Sequence, residues 1–327
     1  MEPMTFLLVR IPLLVATAAA LAASAAATPL VPRGTSGSGS CSVFPADNYW
    51  HADVSGLPVE RRSATWLSHM SPGSDLHPDF GPSYGDGPPY GIPVTTVGAD
   101  HRRVHVRFRY ADESDPVRYP LGRDTRIEGG PRSSGDRHAI VVDVDRCRLY
   151  ETWDTHVRDG HWRAGSGATW SLDDNALRPD GWTSADAAGL PILPGLLRWR
   201  EVRGGTLDHA VRFTTDVTSS GHLWPARHDA GSQNSDSYPP MGARFRLKSS
   251  FDESGYSERA RTVLDAFKRY GLVLADNGSP WYFQGEQNRH WPSHLVEELK
   301  SVPASAFEAV DTSSLMVDPD SAQVRQP

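Results

Sequence analysis

The sequence has little of several features that would narrow its function at once. Only two of its 327 residues are cysteines, and acidic residues outnumber basic ones, which gives a formal net charge of −7. Because an acidic chain is a poor general binder of nucleic acid, we expect no nucleic-acid partner. The sequence also lacks a His-Glu-x-x-His motif, a phosphate-binding loop and a dinucleotide fingerprint, so we predict no cofactor and no metal site.

The N-terminus has the pattern of an export signal. Arg10 precedes an alanine-rich apolar run from Ile11 to Ala27, which ends in the small residues that a signal peptidase requires. A membrane anchor is the weaker alternative, because the run is short, contains Pro12 and consists mostly of alanine. We therefore predict a signal peptide over residues 1–27, a secreted, extracellular protein, and no stable membrane insertion after cleavage.

The rest of the chain predicts a linker, one domain and a tail. Residues 28–40 are small and polar, as in a flexible linker, and residues 30–34 match a common thrombin site that is either native or a cloning remnant. Residues 41–318 show no repeat and predict a single globular domain, followed by a disordered tail at 319–327. In an oxidising compartment, Cys41 and Cys147 are expected to form a disulfide.

The composition predicts a mainly β fold. Proline and glycine are abundant, at 26 and 29 residues, and long helical patterns are scarce before the last quarter of the chain. We expect an antiparallel sandwich or barrel-like domain with a few helices near the C-terminus. Alternating patterns predict strands at 101–110, 207–217 and 243–248 and a hairpin at 138–153, and apolar spacing predicts helices at 257–271 and near 292–300.

Two of the predicted strands have a cationic face. Polar faces of this kind are usually solvated, although an acidic polymer bound in a groove is the alternative. The residues are Arg103, His105, Arg107 and Arg109 in the first strand, and Arg244, Arg246 and Lys248 in the second.

Several residues have the chemical types that an acid/base site needs. A glycosidase requires two carboxyl groups, one of them kept protonated, and Glu151, Asp276 and Asp186 are the candidates. A polysaccharide lyase would instead remove a proton with His or Tyr beside a neutralising cation. The candidate catalytic residues are Glu151, His209, His228 and Asp276, and the candidate substrate-binding residues are His138, Arg212, Trp224, Arg244 and Trp281.

Each candidate also has an ordinary structural interpretation. Most carboxylates are solvated or ion-paired, most tryptophans pack in a core, and a hydrogen-bonded structural histidine is commoner than a metal ligand. Asn277-Gly278 predicts a tight turn, and we expect that turn to aim Asp276 and Trp281 toward a common cleft.

Three blocks of the sequence resemble a group of exported, actinobacterial-type bacterial proteins. The blocks are Trp224–His228, Pro239–Lys248 and Ala275–Trp281, and the likeness extends from about Phe44 to Asp311. The resemblance implies a shared fold and export, and it transfers no catalytic role.

The sequence therefore favours a secreted carbohydrate-active protein. Ten tryptophans are many for this length, and indole rings stack on the apolar faces of sugars. A glycoside hydrolase or polysaccharide lyase that acts on an extracellular polysaccharide or cell-wall glycan is the favoured function. The alternative is a non-catalytic protein that binds a glycan or the cell wall.

Overall fold

A computed structural model of the protein describes residues 41–83 and 87–325, so the predicted signal peptide and linker lie outside the described residues. Within these residues the strands are, in chain order, β1 (His77–Asp79), β2 (Val94–Val97), β3 (Val106–Phe108), β4 (Ala139–Asp143), β5 (Arg148–Trp153), β6 (His156–Arg158), β7 (His161–Ala164), β8 (Ser166–Ser171), β9 (Val211–Thr215), β10 (Arg244–Leu247), β11 (Leu272–Asn277), β12 (Tyr282–Gln284) and β13 (Phe307–Val310). The α-helices are α1 (Ser63–Ser68), α2 (Trp199–Gly204), α3 (Glu258–Arg269) and α4 (Ser293–Leu299).

The strands form three sheets. The largest has the order β1-β12-β9-β11-β10-β13, the second β2-β4-β5-β8 and the third β3-β7-β6. The prediction of a β-rich fold is confirmed, but the antiparallel sandwich is not, because the sheets are mixed, and none of them closes into a barrel. Each sheet contains a parallel pair, namely β1–β12 and β9–β11, β2–β4, and β3–β7, and the strand orders are open. Long connections through loops and α3 make these parallel pairings possible.

The four-stranded sheet is buried on both faces. Alternate side chains of a strand point to opposite faces, so Ile140 and Val142 join the main core whereas Val141 joins a second, smaller core. That second core also contains Tyr150, and the partly buried side chains of β3 pack against it. The β4–β5 hairpin, predicted from the alternating pattern, is confirmed as an antiparallel pair.

The largest sheet has one apolar face and one polar face. On the apolar face, Phe213 packs against Trp281, and Phe283 packs edge-on against Phe267 of α3. In each strand, the residues on either side of the phenylalanine point to the opposite face of the sheet. The opposite face therefore receives the polar residues of the same strands, and the candidate site forms there.

The two late helices agree with the sequence prediction. The Ser257 hydroxyl accepts a hydrogen bond from the Ala260 amide at the start of α3, and Gly271 follows the helix with a φ of +72°. Two short helices, α1 and α2, lie earlier in the chain than expected. Among residues 41–83 and 87–325, no helix is long and apolar enough to cross a membrane.

Both ends of the described chain are fixed. Cys41 and Cys147 form the predicted disulfide, with Cα atoms 5.4 Å apart. The segment expected to be a disordered tail is instead ordered through residue 325, since Ala322 and Val324 are buried and residue 323 bridges Asn48. Backbone pairing with the first residues of the domain holds this segment in place.

The disulfide makes the first testable prediction. It closes a loop with a sequence separation of 106 residues, and the chain-entropy model assigns about 4.7 kcal/mol to a loop of that size. We expect the Cys41→Ser/Cys147→Ser double variant to lose most of this free energy of unfolding in urea titrations. Reduced wild-type protein is the control and should match the variant; a loss below about 1 kcal/mol would contradict the prediction.

Candidate functional site

The polar face of the largest sheet carries a cluster of charged and amide side chains that we call the polar cluster. Register places Asp79 of β1 beside Gln284 of β12, and Gln284 is opposite Arg212 of β9 because Phe283 pairs with Phe213 in an antiparallel ladder. The cluster comprises Asp79, Glu128, His138, Glu151, Asp186, Arg212, Asp276 and Gln284.

A β-bulge brings Asp276 onto this face. Leu274 pairs with Phe213 on the apolar side, and strict alternation would then place Asp276 on that side too. The register shifts between Leu274 and Asp276, however, so that Asp276 pairs with Thr214. The extra residue reverses the side of the sheet to which the carboxyl group points, as bulges often do beside active sites.

Arg212 is the centre of the cluster. Its side chain is 3 % exposed and makes a bidentate ion pair with Asp186, with Nε–Oδ2 and Nη2–Oδ1 distances of 2.8 and 2.7 Å. The same Nη2 lies 3.7 Å from Oδ2 of Asp276. The guanidinium is therefore largely neutralised by Asp186 and orients Asp276 at longer range.

The loop that carries Asp186 joins the two larger sheets. Ser184 Oγ accepts a hydrogen bond from the Asp186 amide and donates to the Leu190 carbonyl, while the Ala188 amide donates to the Ala275 carbonyl of β11. The Ser166 hydroxyl of β8 donates to the Ser184 carbonyl. Asp186 is thus held in a fixed position, as a group that orients Arg212 must be.

Glu128 and His138 form a second ion pair in the cluster. Oε2 of Glu128 accepts hydrogen bonds from the His138 Nδ1, at 2.7 Å, and from its backbone amide, at 3.3 Å. Burial disfavours the imidazolium, but Glu128 outweighs burial and raises the pKa of His138 to about 9. Burial likewise favours protonation of Glu128, yet the charge of His138 holds its pKa below the ordinary value. At neutral pH both groups are charged.

Asp276 reaches the surface only in part. Its side chain is 28 % exposed, yet burial, followed by repulsion from Asp186, raises its pKa to about 7. The attraction of Arg212 offsets this effect only in part. An accessible carboxyl group that is nonetheless poorly solvated is able to hold a proton near neutral pH and to transfer it to a bound molecule.

Asp79 and Gln284 lie on β1 and β12, at the end of the polar cluster away from Asp276. Burial, and then repulsion from Glu128, raises the pKa of Asp79, while a hydrogen bond from Gln284 acts in the other direction. The Gln284 side chain is almost completely buried, and its Oε1 has no hydrogen-bond partner among the described residues. A buried amide oxygen without a partner is uncommon, and it often marks a place where a water or ligand binds.

Glu151, predicted to be catalytic, is completely buried beneath the cluster. Its two carboxylate oxygens accept hydrogen bonds from the amides of Ile192 and Leu193, at 2.8 and 2.9 Å, at the start of a short 3-10 helix. Burial raises its pKa to about 7, and the two amides act against that rise. A Cβ atom on Gly195 in this helix would lie 2.9 Å from Cβ of Arg212, so a glycine is needed for the close approach. Glu151 therefore anchors the loop over Arg212, and it is not accessible to a substrate.

Two predicted catalytic histidines lie outside the cluster's contacts. His209 is buried and contacts Glu201, at 3.2 Å, and the Ala210 carbonyl. His228 contacts the Ala187 carbonyl through Nδ1 and lies 3.7 Å from Glu113. Both have the hydrogen-bonded structural role that is common for histidine. Residues 41–83 and 87–325 contain no group of three or more His, Cys, Asp or Glu side chains arranged to hold a metal ion.

Three predicted substrate-binding residues have structural roles instead. Trp281 is fully buried and donates to the Met70 carbonyl, so the expectation that it shares a cleft with Asp276 is wrong. Trp224 donates to the Ser321 carbonyl. Arg244 is 1 % exposed and donates to the carbonyls of Tyr49, Ala52 and Tyr270, so the predicted solvated face of its strand is also wrong.

The structure therefore brings together four predicted residues and adds residues that the sequence reasoning missed. Glu151, Asp276, His138 and Arg212 belong to the polar cluster, and so does Asp186, which was a candidate carboxyl. Asp79, Glu128 and Gln284 were missed. For Asp79 and Gln284, the available signal was a polar residue at the end of a short strand.

A hollow of the surface is lined mainly by residues that follow β12 in the chain. It has a volume of about 410 Å³ and is lined by Pro89, Arg126, Gln287, Asn288, Arg289 and His290. Arg126 contacts Gln287 there, at 2.6 Å, and the hollow contains none of the titratable groups of the polar cluster. The candidate site is therefore the surface around Asp276, where the groups with perturbed pKa values lie.

The raised pKa values predict how stability depends on pH. The folded state keeps the proton of Asp276 up to about pH 7, whereas an unfolded chain releases it near the ordinary value of 3.8. The folded state therefore binds more protons over that interval, and the free energy of unfolding must fall as the pH rises through it. Glu151 acts in the same direction, between 4.5 and about 7.

We expect Asp276→Asn to lose less stability than the wild type between about pH 5 and about pH 8, because the variant has no carboxyl to ionise there. Urea unfolding at both pH values measures the difference. Asp100→Asn, which changes an exposed carboxyl, is the control and should behave as the wild type does. Equal pH dependence in all three proteins would contradict the raised pKa.

Similarity to known proteins does not assign a role to these residues. The chain matches no family model, and searches of curated proteins and of solved structures gave no match. What the polar cluster does is therefore inferred from its own geometry.

Proposed function

We propose that the protein is exported and hydrolyses glycosidic bonds in an extracellular polysaccharide or cell-wall glycan. Export is supported by the N-terminal signal pattern and by the disulfide, because disulfides persist in oxidising compartments. The hydrolase function is supported by the carboxyl groups of the polar cluster.

The observation that carries this proposal is a pair of accessible carboxyl groups in opposite protonation states. Asp276, 28 % exposed, has a pKa raised to about 7, and Glu128, 24 % exposed, has a pKa held below its ordinary value. Arg212 acts on both through its charge. Glycosidases require this combination of one protonated and one ionised carboxyl group.

The roles follow from the protonation states. Asp276 donates its proton to the glycosidic oxygen as the bond from that oxygen to the anomeric carbon breaks. Glu128 accepts a proton from the water that adds to the anomeric carbon, and the two contacts from His138 leave its Oε1 available for this. Exchange of the proton with solvent restores both groups. Arg212 and Asp186 are positioning residues, because they act through Asp276.

The charge of His138 favours hydrolysis over elimination. A lyase base must be unprotonated, but His138 has a pKa of about 9 and donates from both ring nitrogens, to Glu128 and to the Ala185 carbonyl. A lyase also needs a cation to neutralise the uronate, and Arg212 is already paired with Asp186. Neither requirement of elimination has a suitable group in the cluster.

The tryptophans give little support to a non-catalytic binding protein. Such a protein would display flat aromatic rings to stack on sugars. All ten tryptophans lie within residues 41–83 and 87–325, and each is buried or only partly exposed. Their positions favour a role in packing.

Incubation of the purified protein with a panel of neutral and acidic polysaccharides tests the proposal. We expect new reducing ends without the ultraviolet absorbance of unsaturated uronates. Asp276→Asn should lower kcat/KM by about a hundredfold or more, as loss of a general acid does. The wild-type rate should fall as the pH rises through about 7, because the acid loses its proton there.

Asp100→Asn is the matched control and should retain full activity. Detection of unsaturated products would show that the protein catalyses elimination and not hydrolysis. Retention on an insoluble glycan without any cleavage would favour the binding protein. Full activity in Asp276→Asn would exclude Asp276 as the acid.

A further inference from the structure

We propose that Oε1 of Gln284 accepts a hydrogen bond from a sugar hydroxyl and that the site selects uncharged glycans over uronate-containing ones. This inference rests on the proposed function, since it names the substrate class of the same site. Its basis is the buried Oε1 atom of Gln284, which has no hydrogen-bond partner among residues 41–83 and 87–325.

The orientation of the Gln284 amide is fixed by Asp79. The side-chain amide hydrogen-bonds the Asp79 carboxyl, and only the NH₂ group of a glutamine donates to a carboxylate. Oε1 must then point away from that contact. Because Gln284 is only 5 % exposed, this oxygen loses its hydrogen bonds to bulk water and is satisfied only by a bound donor.

The register of the sheet places the Gln284 side chain on the face that carries the polar cluster. Within the polar cluster, Gln284 lies between Asp79 and Arg212. A hydroxyl group is a suitable donor at this position, because the neighbouring Asp79 carboxyl provides a second acceptor. Two adjacent acceptors fit two neighbouring hydroxyl groups of one sugar ring.

The charges of the cluster disfavour an anionic substrate. The two cations, Arg212 and His138, are each already paired with a carboxylate, Asp186 and Glu128 respectively. The remaining members of the polar cluster, Asp79, Glu151, Asp276 and Gln284, carry no positive charge. A uronate would bring a further negative charge without a free cation to meet it, and this costs binding free energy.

Binding measured on the Asp276→Asn protein tests the inference separately from cleavage. Calorimetry would compare neutral gluco-, xylo-, manno- and galacto-oligosaccharides with oligogalacturonate and oligoglucuronate. We expect at least one neutral series to bind, and the uronates to bind about tenfold more weakly or not at all. Gln284→Ala should weaken binding of the neutral ligand by about tenfold, which corresponds to one lost hydrogen bond in a buried site.

Two further variants control for structural damage. Gln323→Ala makes the same change at an exposed position and should bind as the parent protein does. Gln284→Met keeps the approximate length of the side chain without the acceptor oxygen and should bind as weakly as Gln284→Ala. Thermal unfolding checks that each variant is folded.

Several outcomes would overturn the inference. These are uronate oligosaccharides binding as tightly as the neutral ones, unchanged binding in a folded Gln284→Ala, and no binding of any neutral oligosaccharide. Binding of neutral sugars that the wild type never cleaves would instead refute the proposed hydrolase function and leave the selectivity intact.

Discussion

The buried ion pair between Arg212 and Asp186 is the constraint on which the rest of the site depends. Removing two charges from water is costly, and the cost is recovered only by close geometry and further hydrogen bonds. Here the pair is bidentate, and Asp186 is held by a loop that hydrogen-bonds β8 and β11. Burial is the main cause of the raised pKa of Asp276, and repulsion from Asp186 adds to it. Arg212, already paired with Asp186, offsets these effects only in part, so Asp276 keeps its proton to about pH 7.

The same arrangement explains why the cluster contains so many carboxyl groups without being uniformly charged. Glu128 is paired with His138 and Asp186 with Arg212, while burial favours protonation of Glu151, Asp79 and Asp276. Glu151 is inaccessible and supports the loop over Arg212, whereas Asp276 and Glu128 reach the surface. Environment, and not residue type, separates the structural carboxyl groups from those proposed to act on a substrate.

Local patterns in the sequence predicted the local elements well. The apolar stripe and capping residues of α3, the β4–β5 hairpin and the disulfide were all available from spacing and composition. The parallel pairings were not, because they join segments far apart in the chain. Nor was the position of Arg244, since three backbone carbonyls from distant segments accept its hydrogen bonds and allow a charged residue to be buried. The side of the sheet occupied by Asp276 depends on a bulge, which alternation alone predicts wrongly. Gln284 lay in an unremarkable polar position until the register placed it beside Asp79.

A carbon-13 NMR titration of the aspartate carboxyl groups tests the central claim most directly. In the wild type, one accessible aspartate should titrate with a midpoint near pH 7, and its signal should be missing from Asp276→Asn. If every aspartate that titrates does so below about pH 5, as ordinary solvated carboxyl groups do, Asp276 is ionised at neutral pH and cannot serve as the acid.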